Sequence, residues 1–304
     1  MITNKQASQN MYRQRINVSS FFIGLVVSIV ALFTLLPFII VLSGSFTSER
    51  DLITKGIGLW PGTFSVDGYK FLFQNSDSIV TGYKITLLVT VVGTAISLYL
   101  TASLAYVISI NTVKLRNHIS FFVYFTMLFS GGLVPWYILI VRYLGLKDSL
   151  LALILPMLIN PFYIMLMRTY FKGIPDSLRE SALMDGASEF RILVRIVLPV
   201  SLPIIATVTL FYMLAYWNDW YHALFFIDSK ELVPLQFNLY RITSNLSYLS
   251  SSSAMAQSAV QYVTLPSESV RMATVVLTIG PIIFVYPFLQ KHFVKGILVG
   301  SVKG

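Results

Sequence analysis

An all-α membrane protein with six transmembrane helices is the fold class that this sequence predicts, and three observations predict it. Of its 304 residues, 56% are hydrophobic and only 12% charged, too few charges to cover the surface of a soluble domain. Six windows contain no Asp, Glu, Lys, Arg or His: Ile16–Ser48, Ile85–Val113, Ile119–Val141, Ser149–Met167, Ile196–Asn218 and Met272–Gln290. The shortest holds 19 residues, and a hydrocarbon core about 30 Å thick takes roughly 20 helical residues to cross. Runs such as "FFIGLVVSIVALFTLLPFIIVL" are apolar on every face, whereas barrel strands alternate.

Taken in order, residues 1–19 form a basic N-terminal tail and 20–43 the first span. Lys5, Arg13 and Arg15 before that span imitate a signal sequence, but the apolar run is too long for one and "SGSFTSER" is a poor cleavage site, so a retained helix is expected. Residues 44–81, with "KGIGLWPGTFSVDGYKFLFQNSD", are rich in Gly, aromatics and turn formers. They read as an ordered extracytoplasmic cap with short helices, Trp60 standing at the membrane interface.

Residues 82–290 carry the remaining five spans. Pro135, Pro156, Pro161, Pro203, Pro281 and Pro287 fall in these spans, as Pro37 does in the first. Each kinks its helix and frees carbonyls for neighbours to satisfy. "FSGGLVPWY" adds Gly131 and Gly132 to Pro135, so the third span is expected to bend or unwind there. Close packing at small residues and a gating hinge both fit. The segment 219–271 contains "TSNLSYLSSSSAMAQSAVQ", which reads either as a flexible loop or as an ordered partner-contacting one ending in a short helix. Residues 291–304 form the C-terminal tail.

Lys and Arg set the orientation. The N-terminal tail, the loop near Lys114, the stretch from Arg168 to Arg195 and the C-terminal tail hold thirteen Lys or Arg against four acids; the opposite side has nine of each. All of the net charge of +9 therefore sits on one face, which predicts that both termini are cytoplasmic. The basic balance needs no nucleic-acid partner. The absence of Cys excludes disulfides and thiolate metal sites.

One charged segment interrupts the apolar pattern: "ESALMDGASEFRILVRIVLPVSLP", residues 180–203. Gly173 and Pro175 end the fourth span, and Ser177 with Glu180 has capping-box spacing for a short helix. Gly186 breaks that helix, and Ser188 can cap the next one, which leads into the fifth span. Leu183, Ala187, Phe190, Val194 and Val197 step by four and three, giving an apolar stripe with charges opposite. The result is a helix–turn–helix on the membrane surface within residues 172–198. On pattern alone it is equally a self-capped element whose basic residues reach toward lipid headgroups.

The segment "ESALMDGASEFRILVRIVLP" resembles the EAA loop of binding-protein-dependent ABC importers, matching at Glu180, Ala182, Asp185, Gly186, Ala187, Ile196, Leu198 and Pro199, with Ser181 in place of the first alanine. "ALFFIDSKELVPLQ" and "YPFLQKHFVKGILVGSVKG" extend the resemblance to carbohydrate permeases similar to the smaller maltose permease subunit, especially the subgroup for complex sugars or polysaccharide fragments. It implies a type I ABC importer permease fold in a bacterial cell membrane. The implied partners are a homologous second permease, two cytoplasmic ATPase subunits that bind ATP and Mg, and an extracytoplasmic sugar-binding protein. It further implies that the loop docks on the ATPase, with Glu180 and Asp185 meeting polar groups, Ser181, Ala182 and Ala187 allowing close approach, Gly186 bending, and Leu183 and Phe190 packing.

No GxxxxGK[ST] sequence occurs, so the chain has no phosphate-cradling loop of its own and the energy is expected from a partner. An ion-coupled secondary transporter is the alternative. The six windows lack the ionisable residue that proton coupling uses, although sodium coordination by backbone carbonyls stays open. Enzyme motifs are absent, and His118, His222 and His292 are scattered. For a sugar pathway, "YWNDWY" offers Tyr216, Trp217, Asn218 and Trp220 for stacking and hydrogen bonding, with Trp217 and Trp220, or Tyr216 and Trp220, sharing a helical face. An interfacial aromatic belt explains the same residues. The lack of an intramembrane cation favours neutral sugars.

Overall fold

The computed structural model describes residues 18–74, 76–255, 268–281 and 283. The tails at 1–17 and 291–304, the second half of the sixth predicted span and the short helix expected after Met255 lie outside the described residues. Two compact units are present: one joins the described residues up to Tyr69 with Glu268–Val276, and the other begins at Lys70 and resumes at Leu277.

The first unit is led by α1 (Val18–Ser45), which is exposed from Phe21 to Leu35 and continues through Pro37. A helix that is apolar all round, and over this stretch covered by none of the described residues, belongs in lipid or against another membrane helix. It is followed by α2 (Glu49–Lys55), capped by Ser48. The Asp51 carboxylate accepts from the Thr63 backbone N–H at 2.7 Å, and Ser48 N–H donates to the Thr63 carbonyl at 2.9 Å. These bonds hold the Gly- and aromatic-rich stretch as an ordered loop, as expected, and leave Trp60 exposed. The backbone N–H of Thr63 and the ammonium of Lys55 hold the Asp51 carboxyl down at about 2.

The chain then passes through α3 (Asp67–Gln74) into the second unit and α4 (Ser76–Ser109), the long helix on which that unit is assembled. The third predicted span is broken into α5 (Arg116–Leu128) and α6 (Leu133–Ile138), the latter running on as a π turn over Leu139–Tyr143. Its two halves meet at 112°, and Gly132 sits at the break with φ of +86°, a conformation that favours glycine. The fourth span comprises α7 (Leu150–Ile154), a 3₁₀ turn at Leu155–Met157 and α8 (Pro161–Phe171), bent by 48°. Beyond it lie α9 (Asp176–Met184), α10 (Glu189–Ile192), a π turn at Leu193–Val197 and α11 (Leu198–Val200). An 89° elbow at Ser201 then opens α12 (Leu202–Trp217), with Pro203 in its first turn. The segment closes with α13 (Tyr221–Phe226) and α14 (Leu235–Met255); α14 carries the Ser-rich run in its last turns. Residues 268–281 are helical and open the sixth span.

The break in the fourth span shows how the second unit is held together. Leu158 N–H bonds to the Leu155 carbonyl and Phe162 N–H to the Asn160 side chain, so the carbonyls of Ile154 and Leu158 lose their helical partners. Tyr216 donates to the Ile154 carbonyl at 3.1 Å; Tyr212 donates to the Leu158 carbonyl at 3.4 Å and accepts from Asn160 N–H at 3.2 Å. Each hydroxyl has one proton, so Ser97 at 2.9 Å and Thr101 at 2.7 Å must be the donors in their bonds to Tyr216 and Tyr212. Gly93 completes the i, i+4 row with Ser97 and Thr101, and a Cβ placed there would lie 2.6 Å from the Tyr216 ring.

Candidate functional site

The charged segment forms a hairpin between α9 and α10. At its bend, Gly186 N–H bonds to the Leu183 carbonyl and Ala187 N–H to the Ala182 carbonyl, both at 3.0 Å, with Gly186 at φ +77°. This is a Schellman ending, which needs the left-handed residue and brings two alanines together. Ser188 then caps α10 by accepting from Arg191 N–H. The capping box expected at Ser177 does not form: Pro175 is the N-cap and no side chain bonds there. Pro175 already ends the fourth span and supplies the extended backbone the helix start requires, which leaves Glu180 free of that duty.

Ala182, Ile192, Leu193 and Val197 face inward, whereas Leu183, Met184, Phe190 and Val194 are exposed, Met184 at 89% and Phe190 at 61%. The expected single stripe is therefore divided. The left-handed turn at Gly186 resets the direction of the chain, and the π turn at Leu193–Val197 shifts the helical phase. Glu180 and Asp185 are exposed and make no ion pair among the described residues, and Ser181 is exposed while Ala187 is half-buried. The helical run from Glu189 to Val200 meets α12 at 89°.

Next to the exposed side chains, the half-exposed Glu189 carboxylate accepts from Tyr106 OH at 2.6 Å and from Arg179 Nε at 3.2 Å, and Arg179 Nη2 bonds to its second oxygen. Arg179 and Tyr106 hold the Glu189 carboxyl below the usual carboxylate range against the opposing effect of burial. Asn111 donates to the Asp176 carboxylate at 3.1 Å.

At the other end of α12, Tyr216 is only 2% exposed and fully engaged by Ser97 and Ile154. Trp217 is also buried, its Nε1–H donating to the Thr278 carbonyl at 3.2 Å. Helix α12 ends at Trp217 and Trp220 precedes α13, so the helical face expected to join Trp220 with Tyr216 or Trp217 does not exist; Asn218 and Asp219 turn the chain first. Asn218 is exposed and accepts from Gln236 Nε2 at 3.1 Å, while Trp220 stacks on Tyr240 at 4.5 Å. A groove of about 540 Å³ runs beside the third-span break, lined by Gly131, Gly132, Pro135, Trp136, Leu139 and Tyr221 among others. Trp136 leans on Phe226 at 4.7 Å and on His222, which bonds to Asp219 at 2.8 Å.

Residues 7–299 match the family described as binding-protein-dependent transport system inner membrane component. The chain belongs to that family. The permease is 43% identical over 271 residues to protein LplC of Bacillus subtilis (89% of this chain, 90% of that one). It is 41% identical over 274 residues to the polygalacturonan/rhamnogalacturonan transport system permease protein YtcP of the same organism (90% and 94%). A solved bacterial ABC transporter involved in the import of the acidic polysaccharide alginate contains a chain with a TM-score of 0.75 and 30% identity, covering 93% of this chain and 99% of that one. The permease is thus a membrane-embedded ABC transport subunit, as its hairpin predicted, and the secondary-transporter alternative falls away.

Sequence reasoning missed several residues of the permease. Met184 stands inside the matched segment, yet its position off the apolar repeat hid that it is the most exposed large side chain of the hairpin. Glu189 and Arg179 were counted only as charges, although ten residues separate them and a hairpin of known bend brings such positions together. Trp136 and Tyr221 are distant in sequence, and only the broken third span juxtaposes them.

Proposed function

We propose that the permease forms half of an ATP-driven import pathway for uronate-containing polysaccharide fragments and takes its energy from a cytoplasmic ATPase through the α9–α10 hairpin. Support for the hairpin comes from one observation above the rest: Leu183, Met184 and Phe190 stand exposed around the left-handed Gly186 bend, beside Glu180 and Asp185, which make no ion pair among the described residues. Exposed apolar side chains on a bend that also carries exposed carboxylates fit a protein groove better than water. In this reading Ser181, Ala182 and Ala187 keep the hairpin thin enough to seat, and the partner ATPase holds ATP and Mg. A second, homologous permease, a second ATPase subunit and an extracytoplasmic sugar-binding protein complete the assembly. Both termini and the hairpin face the cytoplasm, following the excess of Lys and Arg on that side.

For the substrate, the acidic glycans named for YtcP and for the alginate transporter outweigh the preference for neutral sugars drawn from the spans. Asn218 and Trp220, with Trp136 and Tyr221 at the neighbouring groove, are the accessible pathway candidates. Tyr216 and Trp217 act there through packing. The test is uptake by proteoliposomes holding the complete complex and loaded with ATP. Glu180→Lys and Gly186→Pro are expected to abolish uptake while the permease pair still assembles. Undiminished uptake in both overturns the coupling assignment. Saturated galacturonan oligomers that fail to compete, against arabino-oligosaccharides that do, overturn the substrate class.

A further inference from the structure

We infer that Glu189, Arg179 and Tyr106 form a clasp that makes the hairpin and α4 move together, and that this clasp sets how much transport each ATP yields. The inference rests on the docking of the hairpin proposed above. The Schellman bend fixes the angle between α9 and α10 but does not tie either to a spanning helix. The charge-assisted tie to α4 itself is made by one carboxylate, which takes Arg179 from α9 on both oxygens and Tyr106 from α4 at 2.6 Å, while Asn111, just past α4, adds a bond to Asp176. Both donors are fixed in place. Tyr106 is buried, and the Arg179 side chain is only 21% exposed. A bidentate, charge-assisted pair has defined geometry and resists shear better than an apolar contact, which can slide.

From Tyr106 the path continues along α4 to Thr101 and Ser97, whose hydroxyls hold Tyr212 and Tyr216 on α12 and, through them, both sides of the break in the fourth span. Displacing the hairpin therefore pulls on three spans through directed bonds. Without the carboxylate charge, α9 and α10 can tilt while α4 stays. Glu189, Arg179 and Tyr106 are positioning residues in this scheme: the half-exposed Glu189 carboxylate is taken up by Arg179 and Tyr106, unlike those of Glu180 and Asp185.

The experiment uses the complete complex in proteoliposomes and measures ATP hydrolysis and uptake in the same preparation. Glu189→Gln is expected to leave ATP hydrolysis within about twofold and to lower transport per ATP about tenfold, within the range of coupling energies in switching proteins. The exchanged pair Arg179→Glu with Glu189→Arg should recover most of that ratio, which a merely structural loss would not allow. Docking is followed separately by a thiol-directed crosslinker on Met184→Cys, the chain having no other cysteine. Crosslinking to the ATPase retained in Glu189→Gln with a lowered ratio supports the clasp. An unchanged ratio overturns it, as does loss of the crosslink, which would make Glu189 part of docking. Absence of the crosslink in the Met184→Cys chain with Glu189 intact overturns instead the docking reading on which the clasp stands.

Discussion

Tyr216 and Phe190 are both aromatic residues in the fifth-span region, and the chain treats them oppositely. Tyr216 is 2% exposed, its ring against Gly93 and its hydroxyl shared between Ser97 and the Ile154 carbonyl; Phe190 is 61% exposed with no ring partner among the described residues. The same contrast separates the α4–α8–α12 core from the α9–α10 hairpin. In the core the Ile154 and Leu158 carbonyls and the Asn160 N–H, freed at the fourth-span break, find tyrosine hydroxyls of the same protein. The hairpin satisfies its own backbone and leaves its side chains outward. On the docking proposed above, self-sufficiency marks the parts that must hold, and incompleteness marks the part that meets another molecule.

Substitutions can break or sharpen this contrast. The largest effect is expected at Gly93→Val, where a Cβ already lies 2.6 Å from the Tyr216 ring. Overpacking of this kind costs about 3 kcal/mol, read as loss of folded complex after detergent extraction. Tyr212→Phe should follow at about 2 kcal/mol, because Asn160 N–H and the Leu158 carbonyl lose their partner in a buried setting; a lowered melting temperature of the purified complex checks it. Gly186→Ala comes next. Its φ of +77° leaves open space around the new methyl, so the cost is backbone strain of about 1 kcal/mol, and Gly186→Asn should cost less. Phe190→Ser should change stability by less than about 0.5 kcal/mol yet weaken ATPase retention on affinity columns. A Phe190→Ser protein that melts early would place that ring in the core and erase the contrast.

Acid should act on the clasp in one direction. Glu189 is depressed by Arg179 and Tyr106, so its contribution is complete above the ordinary carboxylate value and is lost as pH falls through the depressed one. A spin label on Met184→Cys should therefore stay ordered at neutral pH and gain mobility only below the usual carboxylate range. Mobility already high at pH 7 would show that the clasp does not restrain the hairpin.

Much of this was legible in the residues. Five of the six charge-free windows coincide with long apolar helices or bent helix pairs among the described residues, Gly131, Gly132 and Pro135 announce the third-span break, and Gly186 followed by Ser188 gives the hairpin bend and its second cap. What stayed hidden has one physical origin: periodicity describes a regular helix, and this chain leaves regularity where it matters. A π turn moved Val194 off the buried face, the end of α12 at Trp217 separated Trp220 from its expected neighbours, and Tyr216 looked like a pathway residue until the orphaned Ile154 carbonyl gave it other work.

That last arrangement constrains motion. Because hydroxyls from the fifth span plug the gap in the fourth while anchored to α4, none of the three can hinge at that level without exposing an amide or carbonyl to lipid. On the import function proposed above, the pivot belongs elsewhere: at the glycine corner of the third span, or at the Ser201 elbow where the hairpin joins.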